Sequence, residues 1–163
     1  MLTLIENAEI FSPEPLGTGS VLVAGGRILH VGTGLPDVPA DLLRQRIDLG
    51  GAPLVPGFFD AHVLVTGGGG EDGFSTQAPP VSLSQFTRVG VTSVVGLLGT
   101  DDETRSTAGL LARTRALREE GLSAWCWTGG YHVPPTTLTG SVRSDIVNVD
   151  CIIGLGEVAI CEH

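Results

Sequence analysis

The chain has 163 residues, enough for one domain of ordinary size, and its 42% hydrophobic content argues against disorder. Nine arginines against eighteen acidic residues leave a formal charge of -9, which repels nucleic acid and offers an anionic membrane no basic run. Lysine is absent, so chemistry that needs an amine side chain is excluded, and no apolar run approaches the roughly 20 residues of a membrane span.

Met1–Glu6 lacks a basic leader, and Glu6 interrupts any apolar run, so no signal peptide is expected. Cys126, Cys151 and Cys161 form an odd set without a C-x-x-C pair, which fits buried free thiols in a reducing compartment and a cytoplasmic, soluble chain. Residues 1–53 read as a small β-sandwich-like unit of short strands and turns. Residues 2–11 alternate loosely, residues 20–24 resume after a Pro-rich break, and Gly25-Gly26 suits a two-residue hairpin turn into residues 27–32. A further short strand covers residues 46–49, and His30 reads as an ordinary strand histidine.

From residue 54 to 163 the rhythm becomes strand, loop, helix. Strands are expected at 54–63, 92–98, 122–128 and 152–160. Helices are expected at 82–89, with Ser82 as N-cap, and at about 104–120, with a weaker one over 139–146. Asp101, Asp102 and Glu103 read as a solvated helix N-terminus, and Trp125 and Trp127 as core. Four βα repeats with their loops on the carboxyl side give an α/β fold, an incomplete TIM-type (β/α) barrel. A closed barrel needs eight strands, so the chain is expected to be truncated, with an exposed sheet edge.

The chemistry gathers at strand ends. His62, in Asp60-Ala61-His62, stands where the first of these strands should finish, and Gly67-Gly68-Gly69-Gly70 then lets the backbone come close to a ligand ahead of Glu71. Glu71 could be a solvated loop acid, but its place after four glycines favours function. Tyr131, in Gly130-Tyr131-His132-Val133-Pro134, could merely pack, and His132 reads as holding that loop. Glu157, in an apolar strand, needs a cation as partner if buried.

These words resemble isoaspartyl dipeptidase of the amidohydrolase superfamily. The resemblance is carried by Asp60-Ala61-His62 with the Gly67–Glu71 loop, by Gly90-Val91-Thr92-Ser93-Val94-Val95-Gly96-Leu97-Leu98-Gly99-Thr100-Asp101, by residues 111–117, by the Tyr131 loop and by Thr139-Gly140-Ser141-Val142. It covers nearly the whole chain, and the full family pattern is about twice as long, so it implies the N-terminal portion of such an enzyme. It implies a zinc-dependent metallo-dipeptidase that cleaves the β-linked peptide bond of isoaspartyl dipeptides, with two zinc ions at the carboxyl end of the barrel activating a hydroxide. His62 and Glu157 match metal ligands, with Glu157 at the bridging position. Glu71 matches the partner of the substrate's α-amino group, Gly69 and Thr100 match substrate contacts, and Tyr131 matches the hydrogen-bond donor to the oxyanion. A homo-oligomer is the family's habit.

One departure stands out. The second histidine of the family's zinc pair should occupy position 64, where this chain has Leu64. His62 and Glu157 fall short of the three protein ligands of a catalytic zinc, so weak zinc binding and impaired activity are expected. The competing expectations are a non-catalytic relic, which Leu64 favours, and a half-barrel interaction module. Among enzymes the runner-up is dihydroorotase-like or hydantoinase-like chemistry.

Overall fold

The computed structural model describes residues 1–34 and 36–159. Cys161, and Ile160, where the last expected strand ends, lie outside the described residues. The chain divides into two compact units, the first running from Met1 to Pro56 and the second beginning at Gly57.

The first unit is a five-stranded sheet. Strand β1 (Leu2–Phe11) pairs antiparallel with β2 (Pro15–Ala24), which pairs with β3 (Arg27–Gly32). Gly25 and Gly26 turn between the last two with φ of 55° and 74°, the left-handed conformation a tight hairpin demands. Strand β4 (Leu43–Asp48) runs parallel to β1 on its other edge. The short β5 (Pro53–Leu54) also joins β1. The sequence reading gave residue 54 to the first barrel strand; in the structure Leu54 belongs to this sheet, and Val55-Pro56-Gly57 separates it from the next strand. Ala8, Ile10 and Val21 make a small core.

The second unit is a sheet of four parallel strands in sequential order, β6 (Phe58–Val63), β7 (Val91–Gly96), β8 (Ser123–Thr128) and β9 (Ile152–Leu155). Sequential order without reversal is what a (β/α) barrel has and a doubly wound sheet lacks. Helix α1 (Leu83–Thr87) starts after Ser82, the N-cap its sequence predicts, which forms a capping box with Gln85. Helix α2 (Thr107–Glu119) is capped by Ser106, whose hydroxyl accepts from Gly109 N–H, and α3 (Val142–Asn148) is capped likewise by Ser141. Helix α2 thus begins three residues later than its sequence pattern predicts, which adds residues 104–106 to the loop after β7.

The helices supply Phe86, Leu110 and Leu117, which meet Val94, Ala124, Cys126 and Ile152 from the sheet. Burying a leucine of this kind stabilises the fold by roughly 2–3 kcal/mol. Side chains alternate along β8, so Trp125 and Trp127 point to the opposite face and are only half-buried. They are not core, as the sequence reading held, because the helices cover the Ala124 and Cys126 face. Trp125 instead lies 6.2 Å from the Phe59 ring, with the Arg118 guanidinium 5.8 Å from its own centroid, and Trp127 donates to the Ala61 carbonyl at 3.2 Å. Cys126 and Cys151 are buried free thiols. Among the described residues no helix is long and apolar enough to cross a membrane.

Candidate active site

Parallel strands put all four following loops at one end of the sheet, and each delivers one part of the candidate site. The loop after β6 is closed at its base by Gly68 and Ala78, which exchange backbone hydrogen bonds at 3.0 and 2.8 Å. Gly67 there has φ of 70°, and a Cβ on it would stand 2.3 Å from the Ala78 carbonyl, so only glycine closes this base. The tip carries Gly69, Glu71 and the well-exposed Phe74 over a cleft of about 670 Å³, whose lining also includes Thr100, Tyr131 and His132. Its size is that of a small-molecule site.

The loop after β7 fixes the cleft's walls. The Thr100 hydroxyl donates to Glu71 Oε1 at 2.6 Å. Asp101 accepts from Gln77 Nε2 at 3.0 Å and from Thr104 N–H at 2.9 Å, with Arg105 Nε at 3.7 Å. Asp102 Oδ1 meets His132 Nδ1 at 2.6 Å. Asp101 and Asp102 are only 5% and 8% exposed, so they are not the solvated helix terminus that their acidity suggests. Burial of two adjacent carboxylates is tolerable because each has charged or hydrogen-bonded partners.

The loop after β8 carries Tyr131 and is held at its far end by Asp145 on α3. That fully buried carboxylate accepts from the Thr128 hydroxyl, from Leu138 N–H at 2.9 Å, and from the Thr139 N–H and hydroxyl at 2.8 and 2.6 Å. Burial pushes its pKa up, but the four donors outweigh burial and hold it below the usual carboxylate value.

After β9 comes Glu157. The sequence reading put it inside an apolar strand, whereas β9 ends at Leu155 and the Glu157 side chain is 42% exposed. Its carboxylate lies 3.4 Å from His62 Nε2. Two ligands on a tetrahedral zinc are about 3.3 Å apart for bonds near 2.0–2.1 Å. The spacing therefore suits a shared ion, but the set is short. Leu64 brings no lone pair and packs toward Gly99, and among the described residues no group of three His, Cys, Asp or Glu side chains converges. The described residues do not by themselves make a catalytic zinc site.

The structure thus gathers Gly69, Glu71, Thr100 and Tyr131 on one cleft and brings His62 to Glu157 at the same end of the sheet. The sequence reading missed Asp101, Asp102 and Asp145. Asp101 and Asp102 precede the expected helix in the sequence, but nothing there signals that both are buried.

Sequential parallel strands with polar groups at their carboxyl ends define the class: the second unit is part of a TIM-type (β/α) barrel. Within that class the chain resembles β-aspartyl dipeptidase along its entire length. It matches the crystal structure of this enzyme from Fervidobacterium islandicum AW-1 in complex with β-Asp-Leu dipeptide, with TM-score 0.91 and 45% identity over 100% of this chain and 42% of that one. A second structure of that enzyme matches equally well, 44% of it being covered. An L-hydantoinase from Arthrobacter aurescens (TM-score 0.56, 18% identity, 94% and 32% covered) shares the fold. Among curated relatives, the imidazolonepropionase of Salinispora arenicola is 32% identical over 86% of this chain and 36% of its own. The chain spans about a third of the length of the curated relatives it matches and less than half of the dipeptidases. No family model matches it.

Proposed function

We propose that this chain carries the substrate-recognition side of a β-aspartyl dipeptidase site, the parent activity being metal-dependent hydrolysis of β-aspartyl peptide bonds in isoaspartyl dipeptides. The observation that supports it best is the Glu71 carboxylate, oriented by the Thr100 hydroxyl at 2.6 Å on the cleft that also holds Tyr131. A β-linked aspartyl residue holds its free α-ammonium one carbon further from the scissile carbonyl than an α-linked one does, and a carboxylate fixed at that distance recognises the cation. Gly69, without a side chain, leaves room for the substrate backbone beside Glu71. The Tyr131 hydroxyl is suited to donate to the carbonyl oxygen as it becomes an oxyanion, an interaction that strengthens toward the transition state.

Zinc, which the resemblance implies, would supply the activated water, and His62 and Glu157 are the residues of this chain suited to hold it. With Leu64 in place of a ligand, hydrolysis by this chain falls far below that of a complete dipeptidase. The L-hydantoinase and dihydroorotase structures are only 18% and 20% identical, against 45% for the dipeptidase, which favours the linear β-aspartyl substrate over a cyclic amide.

Equilibrium binding of β-Asp-Leu and α-Asp-Leu to the purified chain tests the reading. The β-linked peptide is expected to bind about tenfold tighter or more, a difference of about 1.4 kcal/mol. Equal binding of both, or binding of neither, overturns the substrate assignment. Zinc-dependent cleavage at a complete homologue's rate overturns the claim of impaired hydrolysis.

A further inference from the structure

Thr100, Asp101 and Asp102 are consecutive, yet they reach opposite sides of the cleft. Thr100 and Asp101 tie the loop after β7 to Glu71 and Gln77 of the glycine-rich loop, and Asp102 alone reaches the other wall. Three contacts meet at the Asp102 carboxylate. Its Oδ1 takes the His132 ring at Nδ1, at 2.6 Å, and its Oδ2 takes the His132 backbone N–H at 3.4 Å. The third is steric. A Cβ on Gly130 would stand 2.3 Å from Asp102 Cβ and 2.4 Å from Oδ2, so the residue before Tyr131 packs its bare backbone on this side chain. Tyr131 therefore lies between two residues seated on one buried carboxylate, while its own carbonyl accepts from Ala159 N–H at 3.0 Å.

We infer that Asp102 is the positioning residue for Tyr131: it fixes the backbone of residues 130–132 and through it the place of the phenol in the cleft. Asp102 itself does not line the cleft. The inference rests on the reading of Tyr131 as the oxyanion donor, because a group that must meet a developing charge has to be held in place before the reaction. It also gives His132 a role: the imidazole is the second arm by which the buried acid grips the loop, and the loop is not held by histidine packing alone.

Tyr131 is the single tyrosine of the chain, so tyrosine labelled at its ε carbons and averaged by ring flips gives one NMR resonance that reports this position alone. In the wild-type chain it is expected well displaced from free tyrosine. Asp102→Asn turns an amide N–H toward donors that need an acceptor. It is expected to move the resonance at least halfway to the free position while the urea midpoint changes little, an outcome a general packing role does not give. His132→Gln, at an exposed side chain, is expected to move it in the same direction by less. A Tyr131 resonance that superimposes on wild type in both variants overturns the inference. Should Asp102→Asn fail to fold, His132→Gln decides alone. Addition of β-Asp-Leu to the wild-type chain separates the two layers. A Tyr131 resonance that follows Asp102 but ignores saturating dipeptide overturns the dipeptidase reading and leaves the positioning standing.

Discussion

Two groups of side chains at the same end of one sheet are built very differently. On the cleft side, Glu71 is oriented by Thr100, and behind it stand Asp101, Asp102 and Asp145, all nearly buried and each accepting from its neighbours. His62 and Glu157 are an exposed pair, 65% and 42% accessible, with 3.4 Å between nitrogen and oxygen and no third ligand converging among the described residues. Recognition needs a preorganised wall, which the strand-end loops of this sheet supply. On the proposed reading hydrolysis needs a complete metal site, and Leu64, just past the end of β6, offers no donor to one. Under the proposed function, the contrast sets binding apart from turnover within one chain.

That contrast can be broken or sharpened by substitution. The largest effect is expected from Leu110→Ala, which empties a fully buried position of α2 in the helix–sheet core and should cost about 2–5 kcal/mol in urea unfolding. Asp145→Ala comes next, at about 1–3 kcal/mol, because it leaves buried donors unpaired. Its pH signature has a definite sign. The folded pKa lies below the unfolded value, so the carboxylate's contribution is fully present above about pH 4 and is lost as pH falls through the lower folded pKa. The stability gap between the wild type and Asp145→Asn should therefore narrow below about pH 4; a gap that widens there contradicts the assignment.

Two smaller tests address the site itself. Glu71→Gln should weaken β-Asp-Leu binding by about tenfold without changing zinc binding, as read by calorimetry. Conversely, Leu64→His should raise zinc affinity about tenfold or more and leave dipeptide affinity within about twofold. If either variant moves both ligands together, the two groups are one. Smallest is Cys126, whose thiol burial pushes up to about 12, so it should stay unlabelled by thiol reagents until the chain unfolds.

The parallel strands were legible because apolar runs such as Val94-Val95-Gly96-Leu97 alternate with helical spacing, and the turn at Gly25-Gly26 because glycine is what a tight hairpin takes. Glu71, Thr100 and Tyr131 were legible through short motifs. The supporting acids were not, since an acidic run just ahead of a helix reads as solvated and only the folded loop buries Asp101 and Asp102. The tryptophans misled because size suggests burial, whereas strand alternation decides which face a residue occupies. Glu157 was placed in a strand that stops two residues sooner, and its exposure follows from that.

The most direct test is calorimetric titration of the purified chain with β-Asp-Leu in chelator and again with saturating zinc. A cleft built independently of the metal pair predicts measurable binding in chelator, changed less than about twofold by zinc. Binding that appears only with zinc would contradict it.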